Sequence, residues 1–109
     1  MASVKIIHQT KHRNRDVFVY ELKSENGLSA IITNYGCILM SLNVRCNDGN
    51  TRDVVLGFDN VEDYWDENYL NDYPYFGAII GRYANRIKKG EFNIGNETIS
   101  LSKNKSGNT

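Results

Sequence analysis

The sequence is short of cysteine and of net charge, and each shortage removes a class of answer. Lys and Arg together number 13 and so do Asp and Glu, for a formal net charge of zero. A general binder of polyanions carries a basic excess, so nucleic acid is not the expected partner. The two cysteines, Cys37 and Cys46, are too few for a disulfide framework. They read as small apolar side chains of a reduced, cytoplasmic protein. The start, "MASVKIIHQTKHRNRD", turns polar within a few residues, which is unlike a secretory leader. The longest apolar run, "FGAII", is far too short for a membrane span. The GxxxG spacing of Gly77 and Gly81 therefore has no transmembrane context. HExxH, paired CxxC, a Gly-rich Lys-Ser/Thr phosphate loop and GxSxG are all missing.

What is present is a succession of strand patterns and tight turns. The 109 residues amount to one domain at most. "VFVYELKS" (17–24) alternates, with Phe18, Tyr20 and Leu22 on one face. Asn26-Gly27 then signals a two-residue hairpin, because both residue types tolerate positive φ. "LSAIIT" (28–33) returns as the partner strand. After the break at "NYG", Ile38, Met40, Leu42, Val44 and Cys46 alternate inward against Ser41, Asn43 and Arg45, with Leu39 an outward exception. "NDGN" is another turn, and "DVVLGF" (53–58) reads as a short buried strand. The acidic, aromatic stretch 59–75 lacks any period of two. It reads as a long surface loop holding one or two helical turns, with Asp59 or Asn60 as cap and Val61, Tyr64 and Trp65 carried on it. Pro74, the one proline, closes that loop. Gly95-Asn96 marks a second hairpin, between "EFNI" and "ETISL". Strands joined by hairpins imply an all-β, antiparallel sandwich or barrel.

Three groups of residues invite a chemical reading. His8 and His12 stand four apart, a metal-ligand spacing on a helix. They fall in a strand pattern, however, and no nearby acid completes a set, so a solvated pair is expected and no metal. The carboxylates of 59–72 read as a solvated loop rather than as a glycosidic acid/base pair. The third group is "FGAIIGRYANRI" (76–87). Its apolar half reads as a buried strand with glycines for close approach. Its polar half presents the guanidinium forks of Arg82 and Arg86 and the amide of Asn85, beside aromatic rings. Donor forks, an amide and rings suit a neutral polyhydroxylated ligand. A structural pair of arginines bridging loops explains the local chemistry equally well.

A longer pattern bears on that choice. "ITNYGCILMSLNV", "DVVLGFDNVEDY" and "PYFGAIIGRYANRIKKGEFNIGNETISL" together resemble the aldose 1-epimerase, or galactose mutarotase, family over residues 28–109. The run "YFGAIIGRxANRI" is long and ungapped. The resemblance implies an antiparallel β-supersandwich roughly three times the length of this chain, of which 1–109 is the N-terminal segment of a single domain. It implies cofactor-free interconversion of the α and β anomers of hexoses such as galactose and glucose. It places Asn85 and Arg86 at the sugar, with Arg82 as support for the site. The family continues, after the next hairpin, approximately as Asn-x-x-x-Asn-Ser/Thr-Leu-His-Gly-Gly. Asn104, Asn108 and Thr109 match the start of that run.

Mutarotation needs one group to protonate the ring oxygen and another to take the proton of the anomeric hydroxyl. The resemblance assigns these to a histidine and a glutamate beyond Thr109, so no catalytic residue is expected within the chain and the segment alone is expected to be inactive. The remainder of the same polypeptide is expected to complete the fold, with no membrane partner. The alternatives are a non-catalytic carbohydrate-binding β domain or an inactive truncated product.

Overall fold

Arg13 and Asn14 both take left-handed backbone angles, φ 49° and 62°. They close a two-residue turn that sets His12 opposite Arg15 and joins β1 (Ser3–His12) to β2 (Arg15–Lys23). A tight hairpin needs positive φ at its turn, and asparagine accepts it readily. The computed structural model describes residues 1–104, 106 and 107. These residues fall into two compact units, Met1–Ile79 and Ile80–Thr109.

In the first unit β3 (Ser29–Thr33), β4 (Ile38–Arg45) and β5 (Thr51–Asp53) extend the hairpin into a five-stranded antiparallel meander, in the order β1-β2-β3-β4-β5. The Asn26-Gly27 connection is a three-residue loop, not the expected two-residue turn. Ser24 N donates to Leu28 O at 2.9 Å, and Gly27 takes the left-handed position at φ 88°. "NDGN" is built the same way, with Cys46 N donating to Asn50 O at 2.8 Å and Gly49 at φ 83°. In both loops the glycine absorbs the one residue that would splay the strands.

The even alternation expected along β4 is interrupted. Ile31 faces Ser41 while Ile32 faces Leu39, so Met40 is an extra residue, a β-bulge. Ile38 and Met40 stay buried on the face that carries Val17 and Val19. Beyond the bulge the phase flips. Leu42 pairs with Ala30, which pairs with Leu22, on the opposite face. That second face carries Phe18, Tyr20, Leu22, Ile32, Leu39 and Leu42, all only half-buried, and the exposed Val4 and Ile6 at its edge.

The first face is covered by the segment expected to be a solvated loop. A 3-10 helix, Val61–Trp65, and a six-residue helix α1, Glu67–Asp72, bring Val61, Tyr64 and Tyr69 into the core beside Val17, Val19, Ile38 and Met40. Asn60 stands at the N-cap of the 3-10 helix without a side-chain hydrogen bond, whereas Asp66 caps α1 by accepting from Asn68 N at 2.9 Å. The acidic residues sit on the outside; the tyrosines and Val61 point in. Aromatic edges then lock the layer, with Phe58 5.1 Å from both Tyr64 and Tyr69.

Two expected strands do not form. Val54 N still donates to Leu42 O at 3.0 Å, but the chain then leaves the sheet: Asp53 Oδ1 accepts from both Leu42 N and Val55 N at 3.0 Å, so the Leu42 amide is not available to a continuing strand. Val54 and Leu56 end up exposed. "FGAII" is not a buried strand either. Ala78 N donates to Tyr75 O in a turn, and Ile79 and Ile80 are 59% and 80% exposed. Gly77, at φ 65°, bends the chain where a strand would have to run straight.

The second unit is a hairpin, β6 (Glu91–Ile94) and β7 (Glu97–Ser100), closed as expected at Gly95-Asn96 with Gly95 at φ 59°. A one-turn 3-10 helix, Lys88–Gly90, precedes it, and Leu101 N donates to Gly90 O at 2.8 Å.

Candidate functional site

Arg82, Asn85 and Arg86 lie in the second unit, in the irregular segment that leads to the turn Lys88–Gly90. All three are exposed. Asn85 sits in the left-handed region at φ 69°, a conformation asparagine tolerates better than most residues. Its side-chain Oδ1 accepts from the backbone N–H of Arg86 at 2.8 Å. That bond engages the amide oxygen at the bend and leaves the Nδ2 donors unused by it. Next to it, Tyr83 stacks on Phe92 of β6, ring centroids 6.2 Å apart and planes at 25°, which ties the segment to the hairpin.

Among the described residues neither Arg82 nor Arg86 forms an ion pair with a carboxylate; the salt bridge in this unit joins Lys103 to Glu91 at 3.5 Å. An arginine pair that bridges loops would show its guanidinium groups occupied. These forks are open to solvent, as a polar ligand requires. Guanidinium and amide groups are hydrogen-bonding groups and not acid/base catalysts. Asn104, the first residue of the downstream pattern, is exposed, with its carbonyl accepting from Gly107 N at 2.9 Å and its Oδ1 accepting from Ser106 Oγ at 2.9 Å. Asn108 and Thr109 lie outside the described residues.

Of the expected solvated pair, His8 is exposed and His12 is half-buried. His8 Nε2 donates to Glu62 Oε1 at 2.9 Å, and this bond, more than anything else, holds the Glu62 carboxyl below its ordinary pKa. The acid that completes the pair lies 54 residues away in sequence, so no local spacing announces it. His12 stacks on Trp65 at 4.5 Å. Burial pushes the hydroxyls of Tyr64 and Tyr73 above the ordinary tyrosine value, so both stay protonated and act as fixed hydroxyls. Among the described residues no helix is long and apolar enough to cross a membrane.

The family model for aldose 1-epimerase matches residues 19–109. Galactose mutarotase of Mus musculus is 42% identical over 90 residues, 83% of this chain and 25% of that protein. Aldose 1-epimerase of Escherichia coli K12 is 33% identical over 81 residues, 74% of this chain and 22% of that protein. The crystal structure of galactose 1-epimerase from Lactobacillus acidophilus NCFM superposes with a TM-score of 0.68 at 25% identity, covering 100% of this chain and 30% of that one. The chain thus spans about a quarter of the length of the curated relatives it matches, and its all-β, antiparallel architecture is that of the solved epimerase.

Proposed function

The chain belongs to the aldose 1-epimerase family, and from that premise we propose that it supplies one wall of the sugar site of a mutarotase. That enzyme interconverts the α and β anomers of hexoses such as galactose and glucose by cofactor-free acid/base catalysis. Asn85 hydrogen-bonds a ring hydroxyl through its amide, and Arg86 forks across neighbouring oxygens, with Arg82 supporting the site. Sugar hydroxyls are donors and acceptors at once, so an amide beside a donor fork matches their two-sided demand. The observation that carries the reading is the family match over 19–109 together with the open, unpaired guanidinium of Arg86 beside an amide held in place.

The proton-transfer groups, a histidine acid and a glutamate base, lie beyond Thr109 in this reading. His8 and His12 are engaged with Glu62 and Trp65 and do not take that role. The half-buried apolar face of the five-stranded sheet supports a further part of the same fold packing on it. The test is polarimetric mutarotation of galactose by a polypeptide that carries this chain together with the downstream part of the family fold. Arg86→Ala should lower kcat/KM by about 10- to 100-fold, the loss expected for a charged hydrogen-bonding pair. Turnover near that of the parent would sink the assignment. Retained galactose binding with no mutarotation in the parent itself would make the chain part of a sugar-binding module instead.

A further inference from the structure

The β1–β2 hairpin ends in a cavity of about 890 Å³ lined by residues of the first unit. Its size is in the range that holds a small metabolite, roughly 300–1,000 Å³. We propose that this cavity binds a small phosphate monoester.

Four features of the lining point to that chemistry. His12 and Arg15 are direct cross-strand partners, so their side chains leave the hairpin on one face. Arg13, in the turn between them, lines the same cavity and brings a second guanidinium within reach of it. Among the described residues neither arginine is paired with a carboxylate. The one acid of the lining, Asp16, is matched by its own cross-strand partner Lys11 at 3.5 Å. Two unpaired forks answer the two charges and three oxygens of a phosphate monoester better than they answer a carboxylate.

The rest of the wall is built for the organic part of such a ligand. Tyr35 and His12 meet edge to face at 5.6 Å, and Trp65 braces both, stacked on His12 at 4.5 Å and edge-on to Tyr35 at 5.0 Å. Leu70 closes the cavity with an apolar surface. Rings and a leucine cover C–H faces that an inorganic ion does not have. The hairpin end is also held rigid: Asn34 accepts from Phe18 N at 2.8 Å and donates to Asp16 O at 3.1 Å. The arginines therefore start from a fixed base, which lowers the ordering cost of binding.

Trp65 is the only tryptophan of the chain, so its fluorescence reports on the His12 stack directly. The experiment titrates the full chain with glucose 6-phosphate, inorganic phosphate and free glucose while Trp65 emission is followed. Glucose 6-phosphate should give a saturable change, inorganic phosphate a weaker one, and free glucose none at the same concentrations. The response should weaken as salt is raised. The double variant Arg13→Gln, Arg15→Gln should bind glucose 6-phosphate at least about tenfold more weakly, as the loss of charged hydrogen bonds implies. Both arginines are exposed, so the variant should keep the parent's circular dichroism and its unliganded emission. Absence of a saturable response to glucose 6-phosphate, an equal response to free glucose, or full binding by the double variant would each overturn the proposal. Mutarotase activity does not enter any of these readouts, so failure here leaves the sugar-site reading standing and failure there leaves this one.

Discussion

Leu39 and Gly77 are pressed against each other: the Leu39 amide donates to the Gly77 carbonyl at 2.9 Å, and a β-carbon on Gly77 would fall on the Leu39 carbonyl oxygen. The contact joins β4 to the turn that follows Pro74, at the bulged part of the strand. Gly77 also stands at φ 65°, where an L side chain is strained. Gly81, four residues on in the same GxxxG spacing, has open space around it. One glycine is therefore required by the packing and the other is not.

Gly77→Ala should destabilise the first unit by more than about 2 kcal/mol, since clash with backbone and strain at positive φ add. Gly81→Ala should stay within about 0.5 kcal/mol of the parent. Urea unfolding followed by Trp65 fluorescence measures the first; the second is read by hydrogen exchange of the β6–β7 hairpin. Equal tolerance at both positions would mean that the Leu39 contact does not constrain the fold.

The two core tyrosines offer a second test. Tyr64 Oη accepts from Phe58 N at 3.1 Å and Tyr69 Oη accepts from Phe76 N at 3.0 Å. Each hydroxyl thus satisfies an amide in a segment that has left the sheet. Tyr64→Phe should cost about 1 kcal/mol or more, since it orphans a part-buried donor, the Phe58 amide. Tyr69→Phe should cost less, because Tyr69 retains some exposure where Tyr64 has none. The same urea unfolding decides it, and a neutral Tyr64→Phe would show that Phe58 N finds another acceptor.

These relationships mark the boundary of what the sequence makes legible. β1 to β4 and the hairpin β6–β7 follow from alternation and turn residues, because both are local properties. The bulge at Met40 is invisible in that alternation: an extra residue changes the face of Leu42 and Val44 without changing the pattern of letters. Residues 54–58 look like a strand, yet the Asp53 carboxylate captures the amides of Leu42 and Val55, and no propensity encodes that choice. The helical segment hides its buried tyrosines among acids, since a six-residue helix is too short to show a 3.6-residue period. At the candidate site, residue chemistry alone leaves Arg82, Asn85 and Arg86 undecided between a loop bridge and a binding wall. Only the long "YFGAIIGRxANRI" match favours the second. His12 on Trp65 has no sequence signal, because the two meet through the fold.

Acid should weaken the packing of the 3-10 helix on β1. The His8 hydrogen bond, aided by the Glu62 backbone amide and opposed by partial burial, holds the Glu62 carboxyl below its ordinary value of 4.5. A carboxyl lowered in the folded state adds stability above its unfolded pKa and loses it as pH falls through the folded value. Stability of the parent should therefore decline as pH drops below about 4.5, and Glu62→Gln should decline less steeply in that range. Glu21 and Asp48 are also lowered, by Lys23 and by the Asn50 amide respectively, so some slope should remain in the variant. Parallel curves for parent and Glu62→Gln, from urea unfolding at a series of pH values, would remove the His8 bond from the account.

Asn85 separates backbone geometry from ligand recognition, because two substitutions remove the amide but only one keeps the bend. Glycine accepts φ 69° without strain; alanine does not. In a polypeptide with the complete family fold, Asn85→Gly should keep the hairpin's hydrogen-exchange protection and raise KM for galactose by about tenfold, the loss of one or two hydrogen bonds to a sugar hydroxyl. Asn85→Ala should raise KM as much and also lower the protection of β6 and β7, since the bend at φ 69° is strained by a β-carbon. If Asn85→Gly binds galactose as well as the parent does, the amide is a device for turning the chain and Arg86 must hold the sugar without it.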